Sequence, residues 1–165
     1  MNTIRMLTRY KAWANALIYD AVSALPDEEA LRERKTRYRN IVHTLNHVYV
    51  IDAVFKAHLL GREHGYRARN TPDHPPLPEL WETVRALDAW YVVHVDAMSA
   101  AELERPIAFS FIGGGNGRMT CEQMVAYVVN HGTYHRGLVA DMMYQAGVTP
   151  PTTDLPVFLR DAALT

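Results

Sequence analysis

One cysteine, Cys121, is all the thiol this chain contains. A lone cysteine closes no intramolecular disulfide and builds no thiolate-rich metal site. A reduced, cytoplasmic setting is the default expectation. An excess of charge of one sign is also missing: Lys plus Arg number 17, Asp plus Glu 18, and the formal net charge is -1. With no basic excess and no basic run, nucleic acid is not an expected partner. No apolar run approaches the ~18 residues of a membrane span. Met1-Asn2-Thr3-Ile4-Arg5 leads into a mixed polar segment rather than the apolar core of a secretory signal. Neither membrane insertion nor secretion is expected. What remains is 165 residues with 48% apolar content, which fits one globular domain, residues 1–165, able to bury a core.

Periodicity predicts an all-α architecture. Four long segments repeat apolar residues every three or four positions, at roughly 3–25, 40–60, 78–98 and 120–146. In the first, Leu7, Tyr10, Ala14, Leu17 and Ala21 share a face, with Trp13 and Ile18 beside them. Pro26-Asp27-Glu28-Glu29 ends it and can start a short helical turn. Ile41, Leu45, Val48, Phe55 and Leu59 form the second stripe, and Gly61 is a natural stop. Pro72, Pro75, Pro76 and Pro78 mark a surface loop, Pro78 suiting the first turn of the third helix. Leu80, Val84, Leu87, Tyr91, Val95 and Met98 line that helix.

A short alternating run from Ile107 to Ile112, followed by Gly113-Gly114-Gly115-Asn116-Gly117, predicts a small β-hairpin or an extended loop before the last long helix. The glycines read as a turn, because the lysine and spacing of phosphate-binding loops are missing. Thr120 and Gln123 have capping-box spacing. The fourth stripe is Met124, Val128, His131, His135, Leu138 and Met142. The tail after Pro150 is expected to cap one end with a short turn. Together these elements predict a four-helix bundle, without guaranteeing simple up-down-up-down order.

The chemistry lies in Asn130-His131-Gly132-Thr133-Tyr134-His135-Arg136-Gly137. Residues at i and i+4 share one helix face, so His131 and His135 can hold one metal ion from a single rigid element. Both fall on a core stripe. A buried imidazole without a partner costs roughly 1–3 kcal/mol. A metal satisfies both rings at once; the alternative is that each bonds a core tyrosine, asparagine or carbonyl. His47 lies beside the second stripe and can supply a third ligand from another helix, leaving an open position of the catalytic kind. His43, one turn earlier, offers a fourth ligand but reads rather as a group supporting the ligands or as a surface residue. Asp52 can orient a ligand or act as a base; an ion pair or buried polar contact is the plainer reading. Asn46 and Asn130 precede ligand candidates and either support them or bond between helices. His58, His64, His74 and His94 read as surface or isolated residues. Gly137 fits close approach of a neighbouring helix, and Trp13, Trp81 and Trp90 fit packing.

Four segments in this order resemble the DinB/YfiT-like family of metal-dependent proteins, which is unrelated to the DNA polymerase sharing the DinB label. They are Tyr10-Lys11-Ala12-Trp13-Ala14-Asn15, His43-Thr44-Leu45-Asn46-His47, the Asn130–Gly137 stretch, and Gln145-Ala146-Gly147-Val148-Thr149-Pro150-Pro151-Thr152-Thr153-Asp154. The resemblance covers almost the whole chain. It implies a four-helix bundle, usually a homodimer, with one divalent metal on His47, His131 and His135. Nickel and zinc are the expected ions. Some relatives transfer low-molecular-weight thiols or isomerise their adducts. Tyr134 departs from the family, in which histidine often stands between the ligands. The expected function is that of a metal-dependent transferase or hydrolase acting on an unidentified small molecule. The alternative is a non-catalytic protein that binds a metal or small ligand, for instance in a stress response.

Overall fold

The computed structural model describes residues 2–162; Met1 and residues 163–165 of the expected domain lie outside the described residues. Among the described residues, seven helices and one two-stranded sheet follow in the order α1 (Thr3–Ser23), α2 (Asp27–Leu31), α3 (Ile41–Leu59), α4 (Leu77–Ala97), α5 (Ala100–Glu104), β1 (Pro106–Ser110), β2 (Asn116–Thr120), α6 (Cys121–Gln145) and α7 (Leu155–Ala162). The four long helices α1, α3, α4 and α6 are the four predicted.

Their ends have local causes. Asn2 and Asn40 accept the backbone N–H groups of Ile4 and His43, at 3.0 and 2.8 Å, capping α1 and α3. Pro78 occupies the first turn of α4. Thr120 and Gln123 form the expected reciprocal capping box at the start of α6. Gly61, at φ 64°, and Gly147, at φ 76°, take up the left-handed conformation that terminates α3 and α6.

Around the bundle α1 packs against α4 and α6, and α3 packs against α6 and α4. The helices therefore circle in the order α1, α4, α3, α6, and sequential neighbours are not always spatial ones. The hairpin is present. Phe109 pairs with Gly117 across the strands. A Cβ on Gly117 would lie 2.5 Å from Phe109 Cζ, so glycine lets that ring lie across the partner strand. Ile107 and Phe109 face inward while their neighbours face water.

Several elements differ from the sequence reading. The tail forms a helix, α7, that seats Phe158 against Tyr10 and Trp13. Helix α5 was not expected, although Ser99 and Glu102 form a second capping box. Gly137 has nothing near the position of a Cβ, so it does not mark close helix approach. That place is at Gly132, whose Cβ would lie 3.3 Å from Arg136 Nη1 and 3.6 Å from Lys11 Cε. The buried face of α6 accordingly includes Gly132 and Arg136 as well, while Leu138 packs partly buried against the core. The three tryptophans do pack as expected, Trp81 stacking on Tyr19 and Trp90 against Tyr91.

The apolar interior has two main parts. One joins Val50, Phe55, Leu87, Tyr91 and Met124 near the hairpin. The other joins Ile18, Val22, Leu45, Leu80, Val84, Val139 and Met143. Along α1, α4 and α6 a polar layer falls between them: Lys11 and Asn15, Asp88, and Arg136, with Asp52 joining from α3. Lys11 Nζ meets Asp52 Oδ2 at 2.7 Å and also Asp88 Oδ1. Asn15 Nδ2 donates to Asp88 Oδ2 at 2.8 Å, and Arg136 Nη1 donates to Asn15 Oδ1 at 3.1 Å. One connected network thus ties all four long helices together. Burial opposes the charge on Lys11, but Asp52 and Asp88 outweigh it and hold its pKa above the ordinary value.

Candidate metal centre

His47 projects from α3 and His131 and His135 from α6, two helices packed directly together. Each histidine offers one ring nitrogen, and the three nitrogens lie within 4.8 Å of one another. His47 Nε2 and His131 Nε2 are 3.2 Å apart. The His131 and His135 rings, one helical turn apart, have centroids separated by 4.4 Å. His47 and His135 are buried, at 5% and 2% exposure.

The His47 ring is oriented by its other nitrogen. Nδ1 lies 2.9 Å from the Arg69 carbonyl. A carbonyl only accepts, so Nδ1 carries the proton and Nε2 presents a bare lone pair to the cluster. Asn46 holds the segment that supplies this carbonyl. Its Oδ1 accepts from the backbone N–H of Thr71 at 3.0 Å and from Asn70 Nδ2 at 3.2 Å. Asn46 therefore supports the ligand through the loop rather than by touching the ring.

The donor set fits a divalent ion. Imidazole–zinc bonds of about 2.0–2.1 Å in a tetrahedral arrangement place two ligand nitrogens roughly 3.3 Å apart, close to the 3.2 Å between His47 and His131. Nδ1 of His131 and of His135 is buried without a hydrogen-bond partner, so the tyrosine, asparagine or carbonyl partners of the alternative reading do not hold these nitrogens. No carboxylate shares the cluster among the described residues. Burial, then His135 and His47, push His131 down to about 3; burial, then His47, push His135 down to about 4. His47 is lowered as well, chiefly by burial. The rings are therefore neutral at physiological pH, the form that donates to a metal.

These shifts set a pH dependence for the metal-free protein. The unfolded chain protonates its histidines near 6.5, whereas the folded chain resists down to about 4 and 3 at His135 and His131. The unfolded state then binds more protons, and stability falls as pH drops below 6.5. Asp52 works the other way: burial pushes it up to about 6 from 3.8, so protonation there favours the folded state. His47, His43, His58 and His94 are lowered as well, chiefly by burial, so the histidines outnumber the one carboxylate and the unfolded chain binds more protons over this range. Urea midpoints of chelator-treated protein are expected to fall steadily from pH 6.5 to 4.5. A flat or rising midpoint would contradict the neutral, buried state of the rings.

Above the cluster lies a cavity of about 330 Å³, lined by the three histidines and by side chains from α3, α6, the hairpin and both flanking loops. Tyr38 covers one side, its ring centroid 4.9 Å from that of His47 and 4.7 Å, edge-on, from that of His135. It comes from the loop before α3, where Arg39 has the left-handed φ of 63°. Tyr127 and Tyr134 stand beside His131 and His135. The sequence reading missed Tyr38 and Arg69 as parts of this site, since both lie in loops without a motif.

The other candidates are elsewhere. His43 does not join the cluster; its ring is partly buried and its backbone anchors Asn40 and Asn70. Asp52 is an ion-pair partner of Lys11, as the plainer reading held. Asn130 is exposed. His58 and His64 are not isolated, because their rings meet edge-on at 5.4 Å and His58 also lines the cavity. His94 stacks on Trp90, with centroids 4.3 Å apart. His74 is exposed, as expected.

A helical bundle with a three-histidine cluster between two facing helices defines the class of this protein. The chain belongs to the DinB family, whose model matches residues 1–163. It is 28% identical to Protein DinB of Bacillus subtilis (strain 168) over 159 residues, covering 93% of this chain and 91% of that one. Its fold is similar to the crystal structure of a DinB-like protein from Bacillus cereus, with a TM-score of 0.67, 17% identity, and coverage of 88% of this chain and 94% of that one. No helix among the described residues is long and apolar enough to cross a membrane.

Proposed function

We propose that His47, His131 and His135 hold one divalent cation, nickel or zinc, and that this chain is a metal-dependent enzyme for thiol transfer or hydrolysis. The observation that carries the reading is the convergence of three neutral ring nitrogens within 4.8 Å at the floor of a cavity. A dication on neutral imidazoles supplies Lewis acidity toward a thiol or a carbonyl. The protein's own part is orientation. The Arg69 carbonyl fixes the tautomer and direction of His47. The rigid turn between His131 and His135 fixes the other two rings. Tyr38 and the hairpin aromatics wall the space beside the cluster.

The test is turnover of a low-molecular-weight thiol, cysteine, with monochlorobimane. Sulfur bonds to the bimane carbon, chloride leaves, and the thiol proton passes to buffer. Turnover is expected in nickel- or zinc-loaded protein, to be lost on chelation and to return on reloading. No metal-dependent turnover with this pair or with a panel of esters would defeat the enzymatic reading. Tight, saturable binding without conversion would instead favour a non-catalytic metal- or ligand-binding protein. That second reading draws on the lack of Asp or Glu among the described residues lining the cavity. The same proposal includes a cytoplasmic homodimer without a nucleic-acid partner; light scattering coupled to size exclusion measures the oligomeric state.

A further inference from the structure

The cavity over the histidines is one-sided in charge. No carboxylate lines it among the described residues, and Arg69 is its one side chain of fixed charge. That guanidinium has no ion-pair partner among the described residues, and its charge lies close enough to bear on His47, His131 and Tyr127. The backbone that carries Arg69 is held firmly. Its carbonyl takes the His47 N–H, and Asn70 and Thr71, next in sequence, bond to the α3 residues His43 and Asn46. An unpaired guanidinium on an anchored segment presents a planar fork of donors suited to a carboxylate.

The rest of the wall is aromatic. Phe55, Phe109, Phe111, Tyr127 and Tyr134 line the same space. Phe111 and Tyr134 are 50% and 62% exposed, which leaves large ring surfaces open to water at this cavity. Exposed apolar surface grouped at a concave site marks ligand binding more often than isolated exposure does. A volume of about 330 Å³ suits a ligand with one ring rather than a large cofactor.

We infer that the cavity takes a small arylalkyl carboxylate, its carboxylate paired with Arg69 and its ring among the aromatic side chains above the three histidines. This rests on the reading that the cavity is the working site of a metal-loaded protein. A substrate of this class brings the negative charge that the cavity lacks. Its apolar body covers the exposed rings. Arg69 then acts as a specificity-determining residue rather than as a metal ligand.

Phenylacetate, phenylacetamide and acetate serve as probes in calorimetric titrations of the zinc-loaded protein. Phenylacetate is expected to bind at least tenfold more tightly than either of the others, since only it offers both charge and ring. Arg69→Met is expected to weaken phenylacetate at least tenfold and leave phenylacetamide unchanged. Arg69→Lys, which keeps the charge without the fork, is expected to fall between. Equal affinity of acid and amide in the wild type, or unchanged phenylacetate binding in Arg69→Met, would overturn the inference; in the second case the cation alone holds the acid. Zinc content, measured first, separates this from failure of the metal reading. If the wild type takes up no zinc at the histidines, the same tenfold criteria apply to the metal-free protein. Thermal unfolding of both Arg69 variants at the wild-type temperature verifies that the fold is intact.

Discussion

Lys11→Met is expected to destabilise the protein by about 3–5 kcal/mol, a large share of the 5–15 kcal/mol that typically holds a domain of this kind together. Lys11 is 1% exposed and sits between Asp52 and Asp88, both themselves buried. Removing the ammonium leaves two carboxylates facing each other without their shared cation. Asp52 Oδ1 already lacks a hydrogen-bond partner, so little local compensation is available. The loss falls on α1, α3 and α4 at once, because the two acids come from different helices. Urea unfolding is the measurement, with an expected drop in midpoint of about 1.5–2.5 M for an m-value near 2 kcal/mol/M. Combining Lys11→Met with Asp52→Asn and Asp88→Asn removes the orphaned charges and is expected to recover at least half of the loss. A single variant within about 1 kcal/mol of wild type would show that the buried charges do not contribute as their geometry implies.

His131→Ala is expected to abolish metal binding while leaving most of the fold in place. If three histidines hold the ion, removing one leaves two, and affinity is expected to fall by at least about 100-fold, given that loss of a merely supporting group costs 10–100-fold. Elemental analysis is expected to find about one zinc or nickel per wild-type chain and almost none in the variant. A thermal readout follows from mass action. Free zinc at about 100 times its dissociation constant stabilises a folded protein by about 2.7 kcal/mol, or about 5–10 °C in melting temperature at this chain length. The wild type is expected to show that rise and His131→Ala to show none. His131 is partly buried, so its truncation leaves a small, water-accessible gap rather than a closed core cavity. Equal metal content in both proteins would remove the basis for a three-histidine site.

How much was legible in the sequence depends on the distance over which each feature is decided. Helix ends were legible because their causes are local: Asn40 reaches three residues ahead, and Thr120 and Gln123 bond each other across one turn. The hairpin was legible because three consecutive glycines, Gly113 to Gly115, all adopt positive φ. The Ser99–Glu102 box carried the same kind of signal for α5, and the short helix it starts was overlooked. The polar layer was not legible. Lys11, Asp88 and Arg136 look like ordinary charges on amphipathic helices, and Lys11 and Asp88 lie 77 residues apart in the chain. Asp88 follows Leu87 of the α4 stripe in sequence, but no local pattern marks a lysine from α1 as its partner. Gly132 and Gly137 show the same limit: both precede or follow the histidines, and only packing decides which one faces Lys11.

The sequence by itself determined that His131 and His135 would share one face, because four residues make about one turn of any α-helix. It also determined the bundle, through the four apolar periods, and the family, through four ordered segments. Only the tertiary structure decided that His47 would come within 3.2 Å of His131, 84 residues away in the chain. It alone placed the Arg69 carbonyl behind His47 and the Arg69 side chain at the rim of an aromatic cavity. The reason is the range of the forces that decide each feature. Backbone hydrogen bonds and sterics act over one turn and can be read residue by residue. The meeting of α3 with α6, and of a loop with both, depends on how whole helix faces pack, which no local pattern contains.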